Sequence, residues 1–421
     1  MTDTTYFRRG FGLKPEIAAV RSADYHSHLV EAIRARGYAL ETGKLRFRLA
    51  KEFGFCYGVD RAVDYAYETR VKFPDRRLFL VGEIIHNPHV NAKLEAMGIE
   101  FLLRPGEAGS EFDFSRLTAE DVVILPAFGV TIQDFARLRA IGCVMVDTTC
   151  GSVLNVWKRV ESYARDGFTA IIHGKHRHEE TRATASQVMK YPGGRYLVVL
   201  DMAEARLVTD WIERGGDPAP LAARFLDAMS PGFDFTRDLE RVGIANQTTM
   251  LSGESLAIAE AFRRAMVAKY GEAKAAEHAR SFDTICSATQ ERQDAMLQLL
   301  ADPPDVMVVV GGYNSSNTSH LAELAASRGV RTYHIEDAGC VEPGTGANGA
   351  GGALRHRPIG AREDVVMTGW LDGVATIGIT AGASTPNNKI GETIARICEA
   401  AGVAGELSAA IGPAPAPPGL A

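Results

Sequence analysis

The sequence predicts an α/β protein made of three similar units in pseudo-threefold arrangement around one shared metal centre. Two observations carry that expectation. From Leu45 onward, short apolar runs alternate with amphipathic stretches of ten or more residues, the pattern of parallel α/β layers. In addition, one unit recurs about every hundred residues: a cysteine ending an apolar run, a helix-patterned segment, a strand closing on glycine, and a polar loop. Cys56, Cys150 and Cys286 precede the closing glycines Gly82, Gly174 and Gly311 by 26, 24 and 25 positions.

Residues 1–45 read as an N-terminal extension with a helical stretch at 27–36. A first domain is expected at 46–145, where Cys56 leads into a helix from Val59, a strand at 78–81, a helix near Val90 and β-rich runs at 99–103 and 122–125. The second, 146–282, follows a strand at 144–147 that delivers Cys150. It then holds a helix from Val153, a strand at 169–172, an excursion at 213–240 with a helix at 221–229, a strand at 242–245 and a helix at 254–269 with Ser252 as N-cap. The third, 283–403, contains Cys286, a helix at 290–300 stopped by Pro303-Pro304, and a buried strand at 306–310. A glycine-rich loop at 342–352, expected to be flexible and exposed, a strand at 374–379 and a helix at 389–400 complete it. Residues 404–421, with four prolines from Pro413 to Pro418, predict a disordered tail.

The 421 residues are 46% hydrophobic and 23% charged, enough to bury several cores in a soluble protein. A net charge of -6 and pI of about 6.0 lack the basic footprint of a nucleic-acid binder. No apolar run approaches bilayer length and the first residues lack a signal-peptide core, so the expected location is the cytoplasm, without membrane attachment. Six cysteines are too sparse for a disulfide scaffold, and with no CxxC pair any cluster must be assembled from distant segments.

Helix N-termini favour thiolate over thiol, so cysteines placed there suit metal ligation. Three such ligands, in a reducing compartment, fit an iron-sulfur cluster with one iron left open for substrate chemistry. The plainer reading is three buried structural cysteines. The loops after the three glycines carry His86, then His176, His178, Glu179 and Glu180, with His173 just before Gly174, then Ser315, Ser316 and Asn317. The histidine-rich loop suits anion binding, proton transfer or metal ligation. A zinc hydrolase on His176 and His178 is the rival reading, and it leaves the repeated cysteines unexplained. Gly311 to Ser319 and Thr380 to Ser384 offer backbone N–H, hydroxyl and amide donors for phosphate oxygens, although each alone reads equally as a tight turn. Together they outline a diphosphate pocket built mainly of neutral dipoles.

Eight motifs in order then resemble one family. They are Phe53-Gly-Phe-Cys56-x-Gly-Val-Asp-Arg-Ala, Glu83-Ile-Ile-His86-Asn87, Val146-Asp-Thr-Thr-Cys150, His173-Gly-Lys-x-x-His178-Glu-Glu180-Thr, Ala245-Asn-Gln-Thr248-Thr-Met, Thr284-Ile-Cys286-x-Ala-Thr-x-x-Arg-Gln, Asn314-Ser-Ser-Asn317 and Thr380-Ala-Gly-Ala-Ser384-Thr-Pro386. Over about residues 46–403 the sequence resembles the 4-hydroxy-3-methylbut-2-enyl diphosphate reductases, in the branch of plants and cyanobacteria. The resemblance implies the last step of the methylerythritol phosphate route to isoprenoids. It implies a 4Fe-4S cluster on Cys56, Cys150 and Cys286, with a fourth iron open to the substrate. Glu180 is implied as proton source with Thr248 in the relay, and His86, His178, Thr248, Ser315, Ser316, Asn317 and Ser384 as substrate contacts. A one-electron donor such as ferredoxin or flavodoxin is implied as partner. Two departures stand out: Phe128 replaces a third histidine of the better-known bacterial branch, and Gly151 replaces the proline that usually follows the second cysteine. A non-enzymatic iron-sulfur redox sensor would need the cysteines but not Glu180, Thr248 or the phosphate-cradling loops.

Overall fold

The computed structural model describes residues 5–103, 111–282, 284–344 and 352–411. The strands Leu78–Val81, Val122–Leu125 and Val306–Val310 are apolar throughout and wholly buried. Continuous burial of this kind marks parallel sheets covered on both faces.

The first sheet runs, in spatial order, Tyr6–Phe7, Val144–Asp147, Val122–Leu125, Leu78–Val81, Ile99–Leu102, all parallel. In the second, Ala279–Ser281, Val242–Asn246, Thr169–His173 and Tyr196–Val199 are also all parallel. The third runs Arg331–Ile335, Val306–Val310, Thr376–Ala381, Leu45–Leu49, Ala39–Thr42, with only the last pairing antiparallel. A small antiparallel sheet joins Val341–Glu342, Ala353–His356 and Val365–Thr368.

One four-strand topology underlies all three large sheets. The strand that follows each cysteine's helix lies inside the sheet, the next strand pairs on one side of it, and the third pairs on the other. The fourth strand lies beyond the third and delivers the next cysteine. For the third sheet that fourth strand is Leu45–Leu49, hydrogen-bonded to Thr376–Ala381. Sequence order puts this strand at the head of the first unit, whereas its hydrogen bonds put it in the third sheet.

The chain divides into two compact units. One comprises Met1–Leu13, Arg61–Ile85 and Val90–Ser287 and holds the first and second sheets. The other comprises Lys14–Asp60, His86–His89 and Ala288–Ala421 and holds the third and the small sheet. In the third sheet Val306, Val308 and Val310 join one apolar cluster with Phe47, Ile379 and Ile394, while Met307 and Val309 join another with Met296 and Leu321. Alternation along a strand thus fills both faces.

The N-terminal residues pack on the main body: Tyr6–Phe7 extends the first sheet, and helices Lys14–Tyr25 and His28–Ala35, the latter capped by Ser27, belong to the second unit. Two expectations are corrected. Residues 404–411 are helical (Ala404–Ile411) rather than disordered, because Leu407 is buried in the third sheet's core. The rest of that tail, 412–421, lies outside the described residues, as do 345–351 of the glycine-rich loop. Ser252 is the first helical residue of Ser252–Tyr270, with Leu251 at the N-cap position.

Candidate active site

Every residue expected in the site follows the C-terminal end of a strand. After the first strand of the three sheets come His86, then His178 with Glu180, then Ser315, Ser316 and Asn317. Phe128, Thr248 and Ser384 follow the third strand, and Cys150, Cys286 and Cys56 the fourth. The chain leaves each first strand toward one side and returns to pair on the other. Such topological switch points are where α/β sheets bind ligands.

One hydrogen bond occurs three times. Cys150 N–H donates to the Ala127 carbonyl at 3.0 Å, Cys286 N–H to the Thr248 carbonyl at 3.4 Å, and Cys56 N–H to the Ala383 carbonyl at 3.2 Å. Each cysteine is thereby tied to the loop after its sheet's third strand. The scaffold repeats, and only the side chains differ.

In the first unit these ties connect two cysteines to an acid. Thr248 N–H donates to Glu180 Oε1 at 2.6 Å and its hydroxyl to Oε2 at 3.0 Å. Glu180 is only 2% exposed. His178 caps the helix Glu179–Val188, its Nδ1 accepting from Glu180 N–H at 3.2 Å, so the neutral ring carries its proton on Nε2 and presents a donor there. Phe128, one residue beyond the Ala127 acceptor, packs edge-on against His178 at 5.7 Å. The neighbouring His173 is buried against Ser255, and desolvation pulls its pKa down to about 4, which keeps it neutral. It is a packing residue of the second sheet.

In the second unit the polar groups converge around Ser384. Its hydroxyl donates to the His86 carbonyl at 3.2 Å and lies 3.4 Å from Ser315 Oγ. Ser315 caps the helix Ser316–Ser327, whose first turn holds Ser316 and Asn317, all buried. Asn317 Oδ1 accepts from Ala383 N–H at 2.9 Å, next to the Cys56 tie. A helix N-terminus lined with hydroxyl and amide groups is an anion site without formal cations.

The six cysteines fall into two chemical classes, and none forms a disulfide. Cys143, Cys340 and Cys398 are buried, and desolvation pushes the Cys143 and Cys398 thiols up to about 11. Cys56, Cys150 and Cys286 are partly exposed and immediately precede the helices Tyr57–Lys72, Gly151–Arg165 and Ser287–Leu300. Val59 N–H lies 3.4 Å from Cys56 Sγ as a donor. Each of these three thiols has the setting of a thiolate ligand, partly exposed at a helix N-terminus, and the buried three do not.

The family profile described as LytB protein matches residues 47–398. The chain belongs to the LytB family. This LytB chain is 50% identical to a 4-hydroxy-3-methylbut-2-enyl diphosphate reductase of Gloeobacter violaceus over 406 residues, covering 96% of the chain and 94% of the relative. It is also 50% identical to the enzyme of the same name from Thermosynechococcus vestitus, over 93% of the chain and 94% of the relative. Among solved structures, the E-1-hydroxy-2-methyl-but-2-enyl-4-diphosphate reductase from Plasmodium falciparum is 19% identical with a TM-score of 0.60, covering 84% of this chain and 87% of that one. It shares the fold.

Gly151 in the LytB chain is the first helical residue after Cys150, and a Cβ built there would meet nothing within 4 Å. Cys150 has φ -62° and ψ 142°, the backbone conformation that also precedes a proline. The turn is therefore shaped without one. Two arginines were missed as site residues. Arg61 donates to the Thr148 carbonyl at 3.3 Å and to that of Thr149 at 2.5 Å, just before Cys150. Arg292, 3% exposed, donates to the Gly54 carbonyl at 2.7 Å, just before Cys56. Their sequence signal is an arginine on the apolar stripe of a cysteine's helix. Asn314, also unassigned from sequence, sets its Nδ2 3.4 Å from His86 Nδ1.

Proposed function

We propose that the chain reduces (E)-4-hydroxy-3-methylbut-2-enyl diphosphate to isopentenyl and dimethylallyl diphosphates, the last step of the methylerythritol phosphate route. The allylic C–O bond breaks, two electrons and two protons are consumed, and water leaves with the former hydroxyl oxygen. The observation that carries this reading is the tie from Cys286 through Thr248 to the buried Glu180, which joins a metal ligand to a proton carrier. Membership of the LytB family and the reductase names of its relatives support it.

Cys56, Cys150 and Cys286, carried by three α/β domains near 46–145, 146–282 and 283–403, would hold a 4Fe-4S cluster. When bound, the cluster supplies electrons and Lewis acidity at the substrate hydroxyl. The chain's own groups do the rest. Ser315, Ser316, Asn317 and Ser384 anchor the diphosphate with neutral donors, and His86 and His178 add imidazole donors. Glu180 holds the proton for the departing oxygen, and Thr248 keeps the carboxyl in place while passing protons through its hydroxyl. A one-electron carrier such as ferredoxin or flavodoxin delivers the electrons, and the enzyme works in the cytoplasm. Among the described residues no helix is long and apolar enough to cross a membrane.

The test is anaerobic turnover with a chemically reduced one-electron donor and the allylic alcohol diphosphate. Two electrons are expected to disappear per diphosphate product formed. Oxidation of the donor without loss of the hydroxyl would favour a redox sensor instead.

A further inference from the structure

The small antiparallel sheet is not absorbed by the reaction as described, yet its middle segment reaches the loop that opens the phosphate-cradling helix. Arg357, just after the strand Ala353–His356, lays its guanidinium 3.8 Å over the Tyr313 ring. Asp364, one residue before the strand Val365–Thr368, fixes that guanidinium with a 2.9 Å ion pair and holds Arg355 at 2.8 Å. Arg357 N–H donates to the His334 carbonyl at 2.9 Å, and His334 packs edge-on against Tyr313 at 5.0 Å. His334 in turn sets its Nε2 3.0 Å from the Gly311 carbonyl, to which it donates. Burial pulls the His334 pKa down to about 4, so the ring is neutral near pH 7, with its one proton on Nε2.

Gly311 and Gly312 transmit the position onward. Gly311 has φ +144°, and a Cβ on it would meet Thr385 Oγ1 at 2.4 Å. A Cβ on Gly312 would meet the His86 carbonyl at 2.8 Å, and the Gly312 carbonyl accepts from Ser315 N–H at 3.0 Å. The turn has little room to shift without moving Ser315 and His86.

We propose that Arg357 is a positioning residue for the diphosphate cradle, acting through Tyr313 and His334 on Gly311, Gly312 and Ser315. This rests on the reading of Ser315, Ser316 and Asn317 as diphosphate contacts. Arg357 touches no substrate. It holds the loop that does, and Asp364 neutralises its charge.

The test titrates inorganic pyrophosphate calorimetrically into the anaerobically purified holoenzyme and measures KM and kcat with the full substrate. Losing the cation over the ring in Arg357→Met is expected to weaken pyrophosphate binding and raise KM by about five- to ten-fold, with kcat and iron content unchanged. Arg357→Lys is expected to recover most of the loss. Arg355→Met, which removes the other partner of Asp364 but not the contact with Tyr313, is expected to behave as wild type. Should Arg357→Met melt early, Tyr313→Leu against Tyr313→Phe gives the same comparison, with only the leucine variant impaired. If Asn317→Ala weakens pyrophosphate binding and neither Arg357→Met nor Tyr313→Leu does, the positioning role is overturned while the cradle stands. If Asn317→Ala also binds normally, the cradle reading itself fails.

Discussion

Glu180→Gln is expected to lower kcat by about a hundred- to ten-thousand-fold, the usual worth of a positioned proton donor. Iron content and substrate affinity should stay at wild-type level. The substitution is nearly isosteric: the amide oxygen still accepts from Thr248 N–H, and the Thr248 hydroxyl can accept from the new NH2 instead of donating to a carboxylate. Geometry is retained and the transferable proton is lost. Steady-state kinetics combined with calorimetric substrate binding checks this. An unchanged rate in Glu180→Gln removes Glu180 from the mechanism.

Replacing any one of Cys56, Cys150 and Cys286 by alanine is expected to abolish turnover and strip most of the iron. The same change at Cys143 should leave iron in place and cost only packing. The asymmetry follows from placement: three partly exposed thiols precede long helices, whereas Cys143 is buried with its thiol pushed up to about 11. The Cys56 variant is the most informative, because Cys150 and Cys286 belong to one compact unit and Cys56 to the other. Full iron in Cys56→Ala, with loss in the other two, would place the metal on the first unit alone. Anaerobic iron determination on the four variants decides it.

Much of this organisation is legible in the sequence because cysteine, helix and glycine recur at nearly fixed intervals. The helices after the cysteines begin at Tyr57, Gly151 and Ser287, two to three residues earlier than apolar periodicity indicates, since polar first turns carry no periodic signal. The membership of Leu45–Leu49 in the third sheet is invisible locally. A strand's partner hundreds of residues away leaves no trace in its own pattern, and only the shared four-strand topology explains it. The small sheet leaves little signal because the buried position His356 in Ala353–His356 is polar, and Val365–Thr368 is exposed along its whole length. Helix Ala404–Ile411 was misread because a proline-rich composition just beyond it dominated the window, while burial of Leu407 decides its structure. Among the candidate site residues, side-chain identity was readable from the loops. The thrice-repeated tie from cysteine to third-strand loop was not, because it is made by backbone atoms.

The most direct test of the central claim is iron and acid-labile sulfide analysis of the anaerobically purified chain, with its absorption spectrum recorded before and after adding the allylic alcohol diphosphate. The predicted result is a brown protein carrying about four irons and four sulfides per chain, as a 4Fe-4S site requires, with a spectrum that changes on substrate addition. A colourless protein loaded with zinc, or a spectrum indifferent to the substrate, would contradict the account.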